Sequence, residues 1–305
     1  MIRRASLTAV ALMALAACSA TASSEANPSV DVTDVTSRPA TTTTAPTTTA
    51  PSTSVAPSTT TAPSTTAAAT TTSTATSTSA VSTADRPADF LGEEVIGTSA
   101  EGRPISASHR GTPGGTVILV VGVIHGNENA GVAIVDELAT MPLPAGIDLW
   151  LLPLMNPDGY ANDVRGNGNG VDLNRNFPHD WTAIAQPGDW QYSGSGPGSE
   201  PETQVYMAFT DRVRPALTLW YHQDLFRVSP STGRDGPLRQ RYAELAGLPY
   251  ETVSGPGSVY TGVAATWTRR TLPDAMSFIV ELGPTLTAAE AAVHAQAVLA
   301  VAQMA

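Results

Sequence analysis

The sequence predicts an α/β domain: a mixed, largely parallel central sheet flanked by helices, behind a segment that cannot fold. Three observations carry this. Residues 116–124 form an unbroken apolar run rich in Val and Ile, which suits a strand buried on both faces. Residues 127–140 follow with Val132, Ile134, Val135 and Leu138 at helical spacing, and residues 147–154 return to a buried-strand pattern. Apolar strands alternating with helices indicate a sheet covered on both faces.

The elements follow in order. Residues 94–109 alternate loosely around Glu101-Gly102-Arg103, a turn between two strands. The run at 116–124, the helix at 127–140 and the strand at 147–154 form the first crossover unit. A third buried strand is expected at 216–221 and a fourth at 277–282. A helix is expected at 238–246. Thr287 and Glu290 have the spacing of a capping box and open a long Ala-rich helix at the C-terminal end.

Ahead of this domain (residues 85–305) lie two segments of different character. Arg3 and Arg4 precede an apolar run at 9–17, the pattern of a secretory signal. That run is shorter than the ~20 residues a membrane-spanning helix needs. It ends in Leu15-Ala16-Ala17-Cys18, which resembles the bacterial lipobox and implies lipidation of Cys18; an ordinary cleavage near Ala17 or Ala20 is the alternative. Residues 19–84 are Thr, Ser, Ala and Pro-rich with no aromatic residue, too little apolar surface to offset the entropy of ordering. Repeated Ala-Pro steps favour extended conformations, so the segment reads as a stalk or spacer, open to O-glycosylation. Cys18 is the only cysteine, so no intrachain disulfide forms.

The net charge of −11 lies wholly in residues 85–305, which carry 13 Arg, no Lys and 24 Asp or Glu. An acidic domain argues against nucleic-acid binding, which calls for a basic face.

The chemistry-bearing residues concentrate at strand ends. Ligands in open α/β sheets bind beyond the carboxyl ends of the strands. His125 follows the first buried strand, His222 follows the third, and Glu281 ends the fourth. His125 and Glu128 stand three apart where strand turns into helix, with Gly126 expected to allow a sharp turn. Two imidazoles and one carboxylate are the ligand set of a catalytic zinc, which keeps a position open for water. Residues 165–178 read as a flexible polar Gly/Asn loop between Arg165 and Arg175. Arg pairs bidentately with carboxylates, and Asn174 adds an amide donor beside Arg175. An ion pair of Arg175 with Asp172 is the structural alternative. Asn156-Pro157-Asp158-Gly159 reads as a turn shaping the wall of a site. His109, His179 and His294 have no partners at useful spacing, and Trp181, Trp190, Trp220 and Trp267 read as core or rim.

Together, His125-Gly-Asn-Glu128, Asn156-Pro-Asp-Gly159, Arg165, Val171-Asp-Leu-Asn-Arg-Asn-Phe177, His222 and Glu281 resemble the M14 zinc carboxypeptidases, most of all the branch of murein peptide amidases. Ser199-Glu-Pro-Glu202, where that branch starts a helix, adds to the resemblance. The resemblance implies a carboxypeptidase-like fold, one Zn2+ per chain, and His125, Glu128 and His222 as its ligands. It implies that Arg165 polarises the scissile carbonyl, that Asn174 and Arg175 grip a terminal carboxylate, and that Glu281 is the catalytic base. It offers Tyr260 as the mobile substrate-binding tyrosine. The expected function is an extracytoplasmic metallopeptidase cleaving a peptide or amide bond next to a terminal carboxylate. Its substrate is then a murein peptide, cut between γ-D-glutamate and a diamino acid, or an ordinary peptide. No Asp lies between Tyr260 and Trp267, which disfavours specificity for basic side chains. A zinc deacylase of N-acyl amino acids and a non-catalytic wall-binding lipoprotein are the rival classes. The expected partners are the peptide and, through the anchor, the outer face of a bacterial membrane, with the chain acting as a monomer.

Overall fold

The computed structural model describes residues 86–252 and 260–305. The predicted signal, Cys18 and stalk lie outside the described residues. Among the described residues, no helix is long and apolar enough to cross a membrane.

Six strands form one mixed sheet in the order β1-β2-β4-β3-β5-β6. β1 (Phe90–Thr98) and β2 (Pro104–Gly111) are an antiparallel hairpin, and β2 pairs antiparallel with β4 (Ile147–Leu154). β3 (Thr116–Val123) runs parallel to β4 and to β5 (Leu217–Gln223), and β5 runs parallel to β6 (Met276–Leu282). The predicted mixed, largely parallel sheet is therefore the observed one.

Strict alternation divides the core. Ile118 and Val120 of β3, with Leu219 and Tyr221 of β5, face a cluster closed by α1 (Gly131–Thr140), α4 (Gly236–Ala246) and α6 (Ala288–Ala302). Leu119 and Val121, with Trp220, face the opposite cluster, which includes Tyr206 and Phe209 of α3 (Pro201–Val213) and Trp267 of α5 (Ala264–Thr271). With a period of two, His222 lies on the Trp220 side of β5 and Glu281 on the Ile279 side of β6. A one-residue slip would bury both under the wrong helices.

Several boundaries move. The first helix starts at Gly131, not 127, because residues 124–130 make the turn that carries His125 and Glu128. β5 extends to Gln223, so His222 lies within the strand rather than after it, whereas Glu281 stands at the end of β6 as expected. Asn156 is not simply part of a turn: it caps the short helix α2 (Pro157–Asn162), its side chain accepting from Gly159 N at 2.8 Å. The predicted capping box is present, with Thr287 and Glu290 bonded reciprocally at the start of α6.

Beneath α6, Tyr221, Tyr242 and His294 form a buried chain: Tyr221 Oη to Tyr242 Oη at 2.9 Å and Tyr242 Oη to His294 Nδ1 at 2.8 Å. His294 thus has partners that spacing did not reveal. Burial disfavours its charged form and pushes it down to about 4, against a small opposing effect of Glu290. An unfolded histidine takes up its proton near pH 6.5. The unfolded chain therefore binds more protons between these values, and stability is lost as pH falls through them. Urea denaturation should show a loss of about 1 kcal/mol from pH 7 to pH 5.5 attributable to this group. His294→Gln should flatten that slope; an unchanged slope would locate the effect elsewhere.

Candidate active site

The strand order reverses beside β3. The chain leaves β3 for β4 on one side and later returns to β5 on the other. Such a switch point opens a crevice beyond the carboxyl ends of the two central strands. His125 lies two residues beyond β3, and His222 lies near the end of β5. Glu281 is the register partner of His222 across β5 and β6. A cleft of about 350 Å3 opens there, with His125, Glu128, Arg165, Arg175, His222 and Glu281 among its walls.

Gly126 enables this for a reason other than the expected one. Its backbone does not enter the left-handed region; instead a Cβ would lie 1.9 Å from the carbonyl carbon of Gly159. Glycine is needed because α2 packs directly on the turn.

His125, Glu128 and His222 place one donor atom each within 4.8 Å of one another. Glu128 Oε1 is 2.9 Å from His125 Nδ1, Glu128 Oε2 is 2.9 Å from His222 Nδ1, and the two Nδ1 atoms are 3.1 Å apart. On its other side, His125 Nε2 is 2.9 Å from Asp172 Oδ1. An ionised carboxylate only accepts, so Nε2 carries the proton and the neutral ring presents a lone pair at Nδ1. That lone pair then faces the oxygen of Glu128. A cation between the donors reconciles the contact; without one, His125 must be doubly protonated. Burial lowers its proton affinity, but Asp172 and Glu128 raise it further. Two imidazoles and a carboxylate converging on an open cleft fit a catalytic zinc.

Asp172 is the residue that sequence reasoning undervalued. It is buried; Oδ1 accepts from Asn174 N at 2.9 Å, and Oδ2 accepts from Arg165 Nε at 3.0 Å. Burial opposes its charge, yet His125, Arg165 and Arg175 hold the carboxyl far below its ordinary range. The expected alternative, an ion pair of Arg175 with Asp172, does not form; Arg165 takes that place, at 2.9 Å. Arg165 also reaches Glu128 Oε1 at 2.7 Å.

The loop at 165–178 is not a loose tether. Asn156 Nδ2 donates to Ile124, Arg165 and Gly166 carbonyls at 3.1, 3.3 and 3.2 Å, tying the end of β3 to the base of Arg165. Asn167 Nδ2 donates to Glu200 and Glu202, both at 2.8 Å. Residues 173–175 form a buried 3-10 turn capped by Asp172. Asn174 Oδ1 accepts from Ala264 N at 3.0 Å, and the Asn174 amide nitrogen lies 3.4 Å from His222 Nε2.

Arg175 is buried, donates through Nη1 to Asn174 O at 2.8 Å, and has no partner for Nε among the described residues. Tyr260 is exposed at the cleft mouth, its ring 5.4 Å from the Arg175 guanidinium carbon. Arg175 and Tyr260 thus flank one space. Glu281 makes no side-chain hydrogen bond among the described residues, and its backbone is pinned by reciprocal bonds to Arg227 at 2.9 and 3.0 Å. Burial raises its pKa, with Glu128 adding to the rise and His222 opposing it. A carboxylate with raised proton affinity facing a cleft is suited to general-base work. Trp190, read as core or rim, stands at the rim over Arg165 at 5.1 Å; Trp220 and Trp267 are core.

The sequence profile described as "Zinc carboxypeptidase" matches residues 79–224. Murein peptide amidase A of Escherichia coli K12 is 31% identical over 189 residues, 57% of this chain and 77% of the amidase. The chain belongs to the M14 zinc carboxypeptidase family. A crystal structure of the murein-tripeptide amidase from Escherichia coli O157 superposes with a TM-score of 0.56 at 27% identity, covering 73% of this chain and 94% of that one. The carboxypeptidase A of Helicoverpa armigera shares the fold, with a TM-score of 0.60 at 19% identity over 71% of this chain and 68% of that one. The cofactor of this family is zinc, and the donor set built by β3 and β5 suits it. Like its family, the protein is a metallopeptidase.

Removing the carboxylate charge behind a metal-binding histidine loosens the metal. Asp172→Asn should therefore weaken zinc binding by about 10–100-fold in a chelator competition assay. An unchanged affinity would show that the contact to His125 is incidental.

Proposed function

We propose that this metallopeptidase acts outside the cytoplasm on murein peptides, as a monomer, hydrolysing the amide between γ-D-glutamate and a diamino acid. The observation that carries the reading is the Nε of buried Arg175, unpartnered among the described residues, a cation in the cleft wall facing Tyr260. A substrate ending in a carboxylate beside the scissile bond supplies the missing partner, and Asn174 stands next to it. The likeness to two proteins named as amidases of murein peptides, at 31% and 27% identity, supports the choice within the family.

The residues divide the work. His125, Glu128 and His222 would hold the zinc, which would supply Lewis-acid chemistry able to acidify water there. Arg165, fixed by Asp172 and Glu128, offers its remaining N–H toward the carbonyl oxygen as charge develops there. Glu281 takes the proton of the attacking water and returns it to the leaving amine. Arg175 and Asn174 fix the terminal carboxylate so that the bond lies between zinc site and base.

Product mass spectrometry separates the substrates. The zinc-loaded chain incubated with murein tripeptide should release free diamino acid, and ordinary peptides should be cut far more slowly. Release from ordinary peptides alone would leave a carboxypeptidase in place of the amidase. Glu281→Gln should reduce turnover of the murein peptide by at least about 100-fold, the scale of general-base catalysis, with zinc content unchanged.

The address belongs to the same proposal. The basic start, the short apolar run and Cys18 support a lipid anchor on the outer face of a bacterial membrane, with residues 19–84 as the spacer. In a bacterial host, Cys18→Ser should abolish incorporation of labelled fatty acid; continued labelling would remove Cys18 as the anchor.

A further inference from the structure

After β5 the chain turns back along β6. Arg227 and Glu281 exchange backbone hydrogen bonds as an antiparallel bridge, so the segment that follows runs toward the start of β6. There Ser231, Arg234 and Asp235 meet Met276 and the last turn of α5, with Arg269 and Arg270, around a pocket of about 410 Å3. Glu281 stands five residues further along β6, about 16 Å away at the rise of a strand. No residue that lines this pocket also lines the hydrolytic cleft. What binds here is therefore independent of the substrate proposed above.

The pocket runs against the charge of the domain. Four of the 13 arginines in residues 85–305 gather here: Arg234, Arg269 and Arg270 in the walls, and Arg239 behind them. They face two carboxylates. Both oxygens of Asp235 are engaged, Oδ2 by Arg239 Nε at 2.7 Å and Nη2 at 2.6 Å, and Oδ1 by Ser231 Oγ at 2.7 Å. Asp274 is exposed and pairs with Arg234 at 2.9 Å. Arg269 and Arg270 make no ion pair among the described residues. Arg269 is half-buried and engages two of its five N–H donors, on Ser277 O and Thr266 Oγ1. Arg270 is exposed and engages none among the described residues. Burial lowers the proton affinity of Arg269, and Arg239 and Arg270 lower it further against the opposing pull of Asp235. The amino end of α4 and the carboxyl end of α5 both lie at the pocket, and their partial charges of about one half each cancel. An excess of two positive charges remains, in a protein whose net charge is −11.

Guanidiniums crowded together without partners repel one another, and an anion between them relieves the repulsion. A carboxylate would neutralise one of the two excess charges. A phosphate monoester carries about −1.5 to −2 at neutral pH and presents three acceptor oxygens, which suit two forked guanidiniums. We propose that this pocket binds a phosphate monoester, gripped by Arg269 and Arg270 with Arg234 at its mouth. It is a second ligand site, placed where β6 begins rather than where the hydrolytic cleft opens. Through it the domain is held to a phosphorylated molecule while the cleft stays free for substrate.

Calorimetry on the zinc-loaded full chain, at fixed ionic strength, would compare glycerol 3-phosphate with acetate. The phosphate ester should bind saturably and at least about ten-fold tighter than acetate, the worth of one further charge-assisted hydrogen bond. Arg270→Gln removes an exposed side chain and should weaken the ester at least about ten-fold, with Arg270→Glu abolishing its binding. Asp274→Asn removes a carboxylate that competes for Arg234 and should tighten the ester roughly two- to five-fold, the range for one exposed charge. Circular dichroism would verify that each variant is folded. Sedimentation with phosphatidylcholine vesicles, with and without phosphatidate, separates the sources of the phosphate. Capture that requires phosphatidate and is lost in Arg270→Gln supports the site with a lipid headgroup as its ligand. Tight binding of glycerol 3-phosphate without such capture supports it with a soluble ester. Absence of saturable binding, acetate binding as tightly as the ester, or an affinity unchanged in folded Arg270→Gln and Arg270→Glu would overturn the proposal, the last by placing the phosphate elsewhere on the chain.

Discussion

The buried carboxylate of Asp172 joins parts of the cleft that the chain brings from far apart. One oxygen fixes the tautomer of His125, so that the nitrogen facing Glu128 and His222 carries a lone pair. The other oxygen holds Arg165 over the same centre. Burying a charge is costly unless it is paired and hydrogen-bonded, and here a histidine, an arginine and a backbone amide share that task. The pairing does more than stabilise. His125 and Arg165 are oriented by one rigid group, so displacement of either disturbs the other.

That arrangement also sorts the acids of the cleft. Glu128 is held far below its ordinary range because His125 and His222 outweigh its burial. Glu281, buried and with no side-chain hydrogen bond among the described residues, is shifted the other way, with His222 across the strand pair opposing the rise only in part. Two glutamates within one cleft thus differ in proton affinity through their surroundings alone. The low one is suited to remain an anionic ligand, and the high one is suited to exchange a proton.

The fold was legible where periodicity is strong. The strands at 116–123 and 147–154 are buried on both faces and read as continuous apolar runs, and the Thr287–Glu290 box marked the start of α6. The helix α5 was not read, because its Thr-rich sequence has low intrinsic preference and its packing on β5, β6 and the 173–175 turn determines it. The candidate ligands were legible because His and Glu at strand ends have few structural reasons to be there. Asp172 was given no role because its partners, His125 and Arg165, lie 47 and 7 residues away, where spacing carries no signal. The Gly/Asn segment looked flexible by composition; its order comes from Asn156 just ahead of it and from Glu200 and Glu202 well beyond it.

The cluster of His125, Glu128 and His222 and the guanidinium of Arg165 depend on the switch between β3 and β5 and on the bonds of Asp172 and Asn156. The helix α5 reaches the same centre by two further routes. Asn174 Oδ1 accepts from Ala264 N in its first turn, and the Asn174 amide nitrogen lies 3.4 Å from His222 Nε2. From its last turn, Arg269 donates to Ser277 O of β6, the strand that carries Glu281. A helix that sequence reading missed thus helps to hold both His222 and Glu281, because its two ends are bonded to the segments on which those side chains stand.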